Sequence, residues 1–301
     1  MLKCRLKIRL LLSLAMGFVF ATVHAVVIKD DRQMDVVIAK PPQRIVSLLP
    51  SLTETVCALG QCKKLVGVDR YSSWPESVNK LPRMGGGIDP SIESVVAARP
   101  DIVLMGTSAR GAERLTALGL TVIALEPRTH ADVQRTIQII GKALDVSDKD
   151  SALVWSDIQS SLEASVQLVP SESKGKRIYF EVSRAPYGAS ESSFIGETLQ
   201  RLGVQNILPG SLGPFPKVNP EFVVRAQPDI IMVGDSNFAD MATRPGWKNM
   251  QAMRMQQVCH FKKEDANILA RPGPRLAEAA KLMTQCLIDK SAPINKAKSQ
   301  P

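Results

Sequence analysis

The stretch ESVVAARPDIVLMG, residues 93–106, returns with the same internal spacing as EFVVRAQPDIIMVG, residues 221–234. Each copy predicts a short helix, a stop and then a strand, because proline cannot continue a helix and disfavours helical geometry at the residue before it. The strand parts are continuously apolar and largely β-branched, as in strands that a parallel sheet buries on both faces. One such unit is common in α/β proteins, whereas two matching copies favour an internal duplication.

A second pair of similar phrases lies upstream of these copies. Glu54-Thr55 precedes Leu59-Gly60, and Glu197-Thr198 precedes Leu202-Gly203 at the same distance. Two matched phrases in the same order predict an α/β protein with two similar lobes, each a parallel-type sheet covered by helices. A cleft between two lobes is a favoured place for a small ligand.

The predicted strands 44–49 and 177–182 mark the start of the two lobes. Between them, apolar residues at helical spacing predict a single long helix that joins the lobes as a stiff connection. We expect an N-terminal lobe over 26–144, a linker helix and polar break over 145–172, a C-terminal lobe over 173–293 and a disordered tail over 294–301.

The first 25 residues have the pattern of a secretory signal peptide. Four basic residues precede an apolar stretch from Leu10 to Ala21, and Val23–Ala25 has residues that suit a cleavage site. The apolar stretch is shorter than the roughly 20 residues that span a bilayer. Cys4 lies before this stretch, unlike the cysteine of a lipoprotein. We therefore expect a soluble exported protein that begins near Val26.

The charge and the histidine content argue against several classes of protein. The net charge is +9, and removal of the signal segment with its four basic residues leaves about +5. The sequence has no basic run with interleaved aromatic residues, which is the pattern that would indicate nucleic-acid binding. Only His130 and His260 follow the signal segment, and no Gly-x-Ser-x-Gly motif or Gly-rich phosphate loop occurs. We predict no catalytic residues, no bound metal and no cofactor.

Four cysteines remain after the signal segment: Cys57, Cys62, Cys259 and Cys286. Export permits disulfides, and four cysteines allow three pairings. The first two flank a predicted helix end, while the other two fall in a late strand and in the last helix. We therefore pair Cys57 with Cys62 and Cys259 with Cys286. A four-cysteine zinc site is the alternative, and the absence of a Cys-x-x-Cys pair disfavours it.

Four aromatic residues fall in loops just after predicted strands or just before the repeated helices: Tyr71, Trp74, Tyr187 and Phe215. Loop aromatics near the carboxyl ends of parallel strands suit a flat and partly apolar ligand. The alternative is that each ring packs locally and anchors its own loop.

The segments RIVSLLPSLTET, residues 44–55, and LVGVDRYSSWP, residues 65–75, resemble the opening of periplasmic cobalamin-binding proteins. Further similar segments are 82–86, 215–221 and 271–275, so that the resemblance covers roughly residues 42–288. These proteins belong to the helical-backbone class of ABC-transporter substrate-binding proteins, whose relatives include siderophore and haem receptors. The resemblance implies a periplasmic monomer that captures cobalamin, or a related corrinoid, and delivers it to a membrane permease.

The resemblance also implies roles for single residues. Tyr71 and Tyr187 would line the ligand cleft from opposite lobes, and Phe215 takes a position usually held by tryptophan. Arg271 matches an arginine close to the ligand, and with Trp74 and Asn267 these residues make up the expected ligand site. Glu93 and Glu221 match two surface glutamates, one on each lobe, that dock onto arginines of the permease.

Two departures from the family pattern, and one difference from haem receptors, bear on the ligand. A cleft tryptophan of the family is replaced by Gly106, and Asn267 stands where the family has an acidic residue. The tyrosine that haem receptors carry is replaced by Gly86, which disfavours haem. A ferric siderophore is the alternative ligand; it is anionic, and only Arg271, Arg70 and Arg184 are candidate partners. An exported hydrolase is the alternative from another class, and the sequence offers it no catalytic set.

Overall fold

The structure is a computed structural model that describes residues 25–183, 186–234 and 241–291. Residues 1–24 of the expected signal peptide and the expected tail over 294–301 lie outside these ranges. Within the described ranges, no helix is both long and apolar enough to cross a bilayer.

The N-terminal lobe is built on a four-stranded parallel sheet. Its strands are β3 (Ile45–Ser47), β4 (Leu65–Val68), β5 (Ile102–Met105) and β6 (Thr121–Ala124), which pair in the order β4-β3-β5-β6. Its helices are α1 (Pro50–Ala58), α2 (Ile92–Ala97), α3 (Ala112–Ala117) and α4 (His130–Ala143). All four residues of β5 are buried, as expected for a central strand covered on both faces.

A hairpin that the sequence analysis did not predict precedes this sheet. It consists of β1 (Val26–Lys29) and β2 (Asp35–Ile38), which pair antiparallel. Its turn binds the edge strand β6: the Ala124 backbone N–H donates to the Asp30 carboxylate over 3.2 Å, and the Asp31 N–H donates to the Ala124 carbonyl over 2.9 Å. The turn thereby uses polar groups of a sheet edge that would otherwise be free to pair with another chain.

The predicted long helix between the lobes is α5 (Asp148–Gln167). It begins later than expected because Asp145 adopts a left-handed conformation, with φ of 58°, and the side chain of Ser147 caps the helix through the Asp150 N–H. The helix packs against α4 and against the helix Leu276–Asp289, and buries Ile158 and Leu162. The connection is therefore held by both lobes along its length.

Among the described residues of the C-terminal lobe, five strands form one sheet. Its strands are β7 (Arg177–Ser183), β8 (Tyr187–Gly188), β9 (Gln205–Asn206), β10 (Ile230–Gly234) and β11 (Val258–Phe261). Its helices are α6 (Phe194–Arg201), α7 (Pro220–Ala226), α8 (Gln251–Arg254), α9 (Lys263–Leu269) and α10 (Leu276–Asp289).

Both sheets follow the same strand order, in agreement with the predicted duplication. In the N-terminal lobe β3 pairs with β4 and β5, and β5 pairs with β6. In the C-terminal lobe β7 pairs with β9 and β10, and β10 pairs with β11. All of these pairs are parallel. The C-terminal lobe has one additional strand, β8. It pairs antiparallel with the C-terminal half of β7, whereas β9 pairs with the N-terminal half of the same strand.

The repeated Pro-Asp pairs have the same structural role in both lobes. The Asp101 carboxylate accepts hydrogen bonds from the backbone N–H groups of Gln43, at 2.7 Å, and Arg44, at 2.9 Å. In the other lobe the Asp229 carboxylate accepts from the Arg177 N–H at 2.7 Å. Each aspartate therefore fixes the start of the first strand against the start of the third.

An arginine at the start of each first strand also hydrogen-bonds the repeated helix; Arg44 immediately precedes β3, and Arg177 is the first residue of β7. The Arg44 guanidinium donates to the carbonyls of Ala98 and Arg99 at the end of α2, and the Arg177 guanidinium donates to the carbonyl of Gln227 at the end of α7. Arg99 and Gln227 hold equivalent positions before the prolines, and both are left-handed with φ near 45°. The helix stop predicted from proline is thus completed by a side chain from the neighbouring strand.

Both predicted disulfides are present. Cys57 and Cys62 join the end of α1 to the turn after it, with 4.1 Å between their Cα atoms. Cys259 of β11 and Cys286 of α10 are joined with a Cα separation of 5.8 Å. Since all four cysteines are joined in disulfides, none of them is available as a thiolate ligand of the alternative four-cysteine zinc site.

Candidate functional site

A cleft of about 460 Å³ lies between the lobes, at the ends of elements from both. Leu49 and Glu126 follow β3 and β6 in the N-terminal lobe, and Phe194, Phe215 and Pro272 line it from the other lobe. Ligands of α/β proteins bind in this region, outside the carboxyl ends of the parallel strands. The surface is mainly apolar, and the ionisable side chains among its lining residues are Glu126 and Arg128.

Phe215 is the predicted site residue that lines the cleft directly. Its ring packs edge-on against Phe194, with 5.9 Å between the ring centroids, and remains 36% exposed. Its loop is held by the Ser190 side chain, which donates to the Gly213 carbonyl over 2.6 Å, and by the Ser190 N–H, which donates to the Pro214 carbonyl. Phe215 therefore forms an aromatic part of the cleft surface on the C-terminal lobe.

Tyr71 lies beside the cleft, on the loop that follows β4. Its carbonyl accepts a 2.7 Å hydrogen bond from Arg271, and both chain neighbours of Arg271, Ala270 and Pro272, line the cleft. The ring itself is 61% exposed. A large exposed aromatic side chain next to an apolar cleft is available for contact with a ligand that extends out of the cleft.

The structure places the other predicted aromatic residues differently. Tyr187 lies on β8, beside the segment that contains Phe215, through a bridge to Lys217, and is 38% exposed. Trp74 is half-buried, with the Arg275 guanidinium 5.1 Å above its ring, so its ring packs against the opposite lobe. Tyr187 and Phe215 are therefore neighbours on one lobe.

Asn267 lies on α9 and is half-buried. The helix ends at Leu269, immediately before the cleft-lining Ala270. Its role toward a ligand stays a prediction.

Arg271 is buried, and its donors serve protein groups of the opposite lobe. Nη1 donates to Glu54 Oε1 over 2.7 Å, and Nη2 donates to the Tyr71 carbonyl and, over 3.3 Å, to Ser73 Oγ. Burial raises the pKa of Glu54 above its usual value, against the opposite effect of the nearby guanidinium. The geometry makes Arg271 first a link between the lobes, and contact with a ligand stays a prediction for it.

Glu54 and Glu197, which the sequence places in equivalent phrases, both reach across the lobe interface. Glu54 of α1 binds Arg271 of the C-terminal lobe, and Glu197 of α6 accepts a 2.6 Å hydrogen bond from the backbone N–H of His130, the first residue of α4. The duplication therefore supplies one cross-lobe carboxylate from each half. Sequence analysis found these glutamates but did not assign them a role.

His130 is buried at the same interface. Its Nε2 lies 2.9 Å from Thr198 Oγ1 and 3.1 Å from the Phe194 carbonyl. Burial lowers the pKa of His130 to about 4; Arg201 adds to this shift and the Phe194 carbonyl opposes it. A neutral imidazole thus joins α4 to α6 at neutral pH.

Glu126 stabilises one wall of the cleft. Its carboxylate accepts hydrogen bonds from the Thr107 hydroxyl and, over 2.8 Å, from the Ser108 N–H. A Cβ atom at Gly106 would point toward Ser108, Leu49 and Glu126 at ordinary contact distances. Since two of these residues line the cleft, the glycine leaves room where a larger side chain would project toward it.

The two glutamates expected to dock onto a permease occupy matched places. Glu93 and Glu221 are exposed in the first turns of α2 and α7. The N-terminal hydrogen bonds of these helices are made by other side chains, Ser91 at 3.2 Å and Asn219 at 2.9 Å. The glutamate carboxylates are therefore not required as capping acceptors.

The family model for periplasmic binding proteins matches residues 45–264. The chain belongs to the periplasmic binding protein family. It is 30% identical over 277 residues to an uncharacterised ABC transporter substrate-binding lipoprotein, YvrC, of Bacillus subtilis, with 88% of this chain and 86% of that protein covered.

Two further similarities describe the range of this family. The vitamin B12-binding protein of Pectobacterium atrosepticum is 24% identical over 246 residues, which cover 79% of this chain and 86% of that protein. The structure of the periplasmic haem-binding protein RhuT from Roseiflexus, in apo form, superposes with a TM-score of 0.71 at 23% identity, over 83% of this chain and 99% of that one.

This periplasmic binding protein is an ABC-transporter substrate-binding protein rather than an enzyme. Proteins of this family carry ligands for transport and not cofactors, and their homologues are periplasmic or extracytoplasmic, with one lipoprotein among them. The predicted fold class, two α/β lobes joined by one long helix, is confirmed.

Sequence reasoning missed several residues that line the cleft: Leu49, Ser51, Glu126, Arg128, Phe194 and Pro272. A usable signal was present in the duplication. Ser51 and Phe194 stand three positions before the matched glutamates, Glu54 and Glu197, so they are equivalent residues at the starts of α1 and α6.

Proposed function

We propose that this periplasmic binding protein captures cobalamin, or a related corrinoid, and delivers it to the permease of an ABC importer. The observation that carries the proposal is the placement of two exposed aromatic rings, Tyr71 and Phe215, on opposite lobes beside one mainly apolar cleft. Rings in such places suit a flat macrocycle with apolar faces. The similarity to vitamin B12-binding proteins, described above, supports this ligand class.

The size of the cleft affects how such a ligand would lie. Clefts for drug-sized ligands are about 300–1,000 Å³, and a corrinoid is larger than these ligands. We expect it to fill the cleft of about 460 Å³ and to project outward over Tyr71 and Tyr187, which would cover their exposed rings.

The first test is direct binding. The purified protein is mixed with cyanocobalamin and dialysed, and its ultraviolet-visible spectrum is recorded. A retained corrin spectrum is expected, and its absence would contradict the corrinoid assignment. Ferric siderophores form a parallel arm, because Arg128 lines the cleft and supplies one cation for an anionic ligand.

The second test addresses the two rings by calorimetry. Ring contacts of this kind contribute about 0.5–1.5 kcal/mol beyond area burial, so Tyr71→Ala and Phe215→Ala should each weaken cyanocobalamin binding about two- to thirteen-fold or more. The melting temperature should change little for Tyr71→Ala because that ring is exposed. Unaltered dissociation constants in both variants would remove the cleft from the proposal.

We further propose that Glu93 and Glu221 dock the loaded protein onto arginines of the permease. Both carboxylates are exposed, one on each lobe, at matched positions in the repeat. Pairing of carboxylate with arginine is stronger than a neutral hydrogen bond and weakens with salt when it is exposed. The double variant Glu93→Ala/Glu221→Ala should bind its ligand normally but fail to support uptake with the matching permease, and normal uptake would contradict docking.

A further inference from the structure

The loop that contains Tyr71, residues 69–75, is held in place by its own lobe. The buried Asp69 carboxylate accepts from the Tyr71 N–H over 2.8 Å and from the Ser72 hydroxyl. The Arg83 guanidinium donates to the Ser72 carbonyl over 2.6 Å and to the Asp69 carbonyl over 3.1 Å. These contacts fix the amide side of Tyr71 and the residue that follows it.

The carbonyl side of Tyr71 is held from the other lobe. Arg271 Nη2 donates to the Tyr71 carbonyl over 2.7 Å and to Ser73 Oγ over 3.3 Å. Arg271 Nη1 donates to Glu54 Oε1 over 2.7 Å, and the Glu54 side chain is 1% exposed. The buried carboxylate therefore sets the direction of the guanidinium, and the guanidinium sets the position of the loop.

Stability alone is a weak reason for this arrangement. A buried ion pair is often no more stabilising than apolar side chains of similar volume, because both charges must leave water. An apolar pair would not fix the direction of the side chain that holds the Tyr71 loop, whereas the hydrogen-bonded guanidinium does. A ring whose main chain is already ordered loses less conformational freedom on binding, and that gain appears as affinity.

We propose that Arg271 and Glu54 are positioning residues that hold Tyr71 in its ligand-binding orientation and connect that orientation to the arrangement of the two lobes. The ligand arm of this inference rests on the proposed function, because it requires Tyr71 to touch the ligand. The structural arm requires only that the loop depends on Arg271 and Glu54.

Two variants and one control separate these arms. Arg271→Lys keeps a positive charge beside Glu54 but cannot donate to the carboxylate and the Tyr71 carbonyl at once with a planar fork. Glu54→Gln keeps the shape of the side chain and removes its charge. Arg32→Lys is the control, because Arg32 likewise binds one carboxylate, Asp30, and one carbonyl, Val122, but lies in the N-terminal hairpin.

The structural arm is tested by amide hydrogen exchange on the ligand-free protein. Arg271→Lys and Glu54→Gln should accelerate exchange in the segment 69–75 by about threefold or more, with little change in β5 or α5. Arg32→Lys should leave this segment unchanged. Exchange in 69–75 that equals the wild-type rate in either folded variant would overturn the inference, whatever the ligand is.

The ligand arm is a double-mutant cycle with cyanocobalamin, read by calorimetry. Residues that act through one another have effects on binding that are not additive, and the cycle measures this departure from additivity. Arg271→Lys should weaken binding about three- to tenfold in the wild-type background and less than about twofold in the Tyr71→Ala background. Arg32→Lys should have no effect in either background.

The outcomes distinguish the two proposals. No effect of Tyr71→Ala, or no binding of cyanocobalamin, contradicts the proposed ligand site while the exchange result still decides the role of Arg271 and Glu54. Another outcome is that Tyr71→Ala weakens cyanocobalamin binding as expected while Arg271→Lys weakens it equally with and without Tyr71. That result contradicts the positioning role and assigns Arg271 its own contact with the ligand.

Discussion

The two lobes begin their sheets with the same hydrogen bonds, yet they present different surfaces to the cleft. In both, an aspartate after proline holds the first strand, and the arginine of that strand holds the end of a helix. Beside the cleft, the N-terminal lobe has a hydrogen-bonded loop with an exposed Tyr71. The C-terminal lobe instead has the additional strand β8 and a proline-rich loop that contains Phe215. The two halves therefore share the contacts that support their sheets and differ in the surfaces that they present to the cleft.

The cross-lobe contacts show the same pattern of shared origin and divergent chemistry. Glu54 and Glu197 are equivalent, but the first binds the charged Arg271 and the second binds a backbone N–H at the start of α4. The first contact is connected to the Tyr71 loop, and the second lies beside the neutral His130. The Glu54 contact and the Glu197 contact should therefore respond differently to pH and to substitution.

The largest expected effect on stability is the loss of the disulfide in the C-terminal lobe, which should exceed the loss of the disulfide in the N-terminal lobe. On the chain-entropy model, loss of Cys259–Cys286, which are 27 residues apart, should lower the free energy of unfolding by about 3.5 kcal/mol, against about 2 kcal/mol for Cys57–Cys62, which are five apart. Paired Cys→Ser variants in chemical denaturation measure both values. Equal losses would show that loop length does not control the difference.

The next effect in size is the pH dependence at the His130 interface. The folded-state pKa of His130 is about 4, below its ordinary value of 6.5, so its contribution is complete above pH 6.5 and is lost as the pH falls from 6.5 toward 4. The shift corresponds to roughly 3 kcal/mol. His130→Gln should remove this part of the decline in unfolding free energy between pH 7 and pH 4.

The comparison carries its own control, because above pH 6.5 the imidazole is neutral in both the folded and the unfolded protein. In that range the wild type and His130→Gln should differ by a constant offset, and their slopes should separate only below it. A His130→Gln profile that declines as steeply as the wild type would contradict the role of the buried imidazole.

A smaller effect should separate the two Pro-Asp units. Asp101 accepts two backbone hydrogen bonds and Asp229 accepts one, all in exposed surroundings. Bonds to charged acceptors contribute about 1.5–3 kcal/mol at most, and less where water competes, so Asp101→Ala should cost about 1–2 kcal/mol. Asp229→Ala should cost less. Denaturant titration of both variants checks the order, and the reverse order would contradict this account.

The smallest effect on stability is expected at Glu93 and Glu221. Each carboxylate favours the positive end of its helix by about 0.3–1 kcal/mol, and separate side chains already make the capping bonds. Glu221 also lies 3.8 Å from Arg225, an exposed pair that contributes little. Thermal unfolding of the single Ala variants should show losses below 1 kcal/mol, and a larger loss in either would indicate a structural role in place of docking.

Much of the fold was predictable because it depends on local patterns. The strand 102–105 and its copy were evident from continuous apolar residues between a proline and a glycine, and both disulfide pairings followed from the elements that contain the cysteines. The hairpin β1–β2 was not predicted. Its four-residue strands are short, and it depends on the binding of Asp30 and Asp31 to β6, far along the chain.

The candidate site was only partly predictable. Phe215 lines the cleft and Tyr71 lies beside it, whereas Trp74 packs beneath Arg275. All three are loop aromatics next to regular elements, so the sequence could not separate them. Whether a ring is exposed or covered is decided by the neighbour that folding places over it.

The sequence by itself determined the duplicated α/β framework, the long helix between the halves and the disulfide pairs, because helix stops, buried strands and cysteine positions are properties of short segments. Only the tertiary structure decided that Glu54 and Glu197 reach across the interface and that the donors of Arg271 serve Glu54 and the Tyr71 loop. Glu54 and Arg271 are 217 positions apart. A contact between such distant residues depends on how the two lobes pack, and no local pattern specifies that packing.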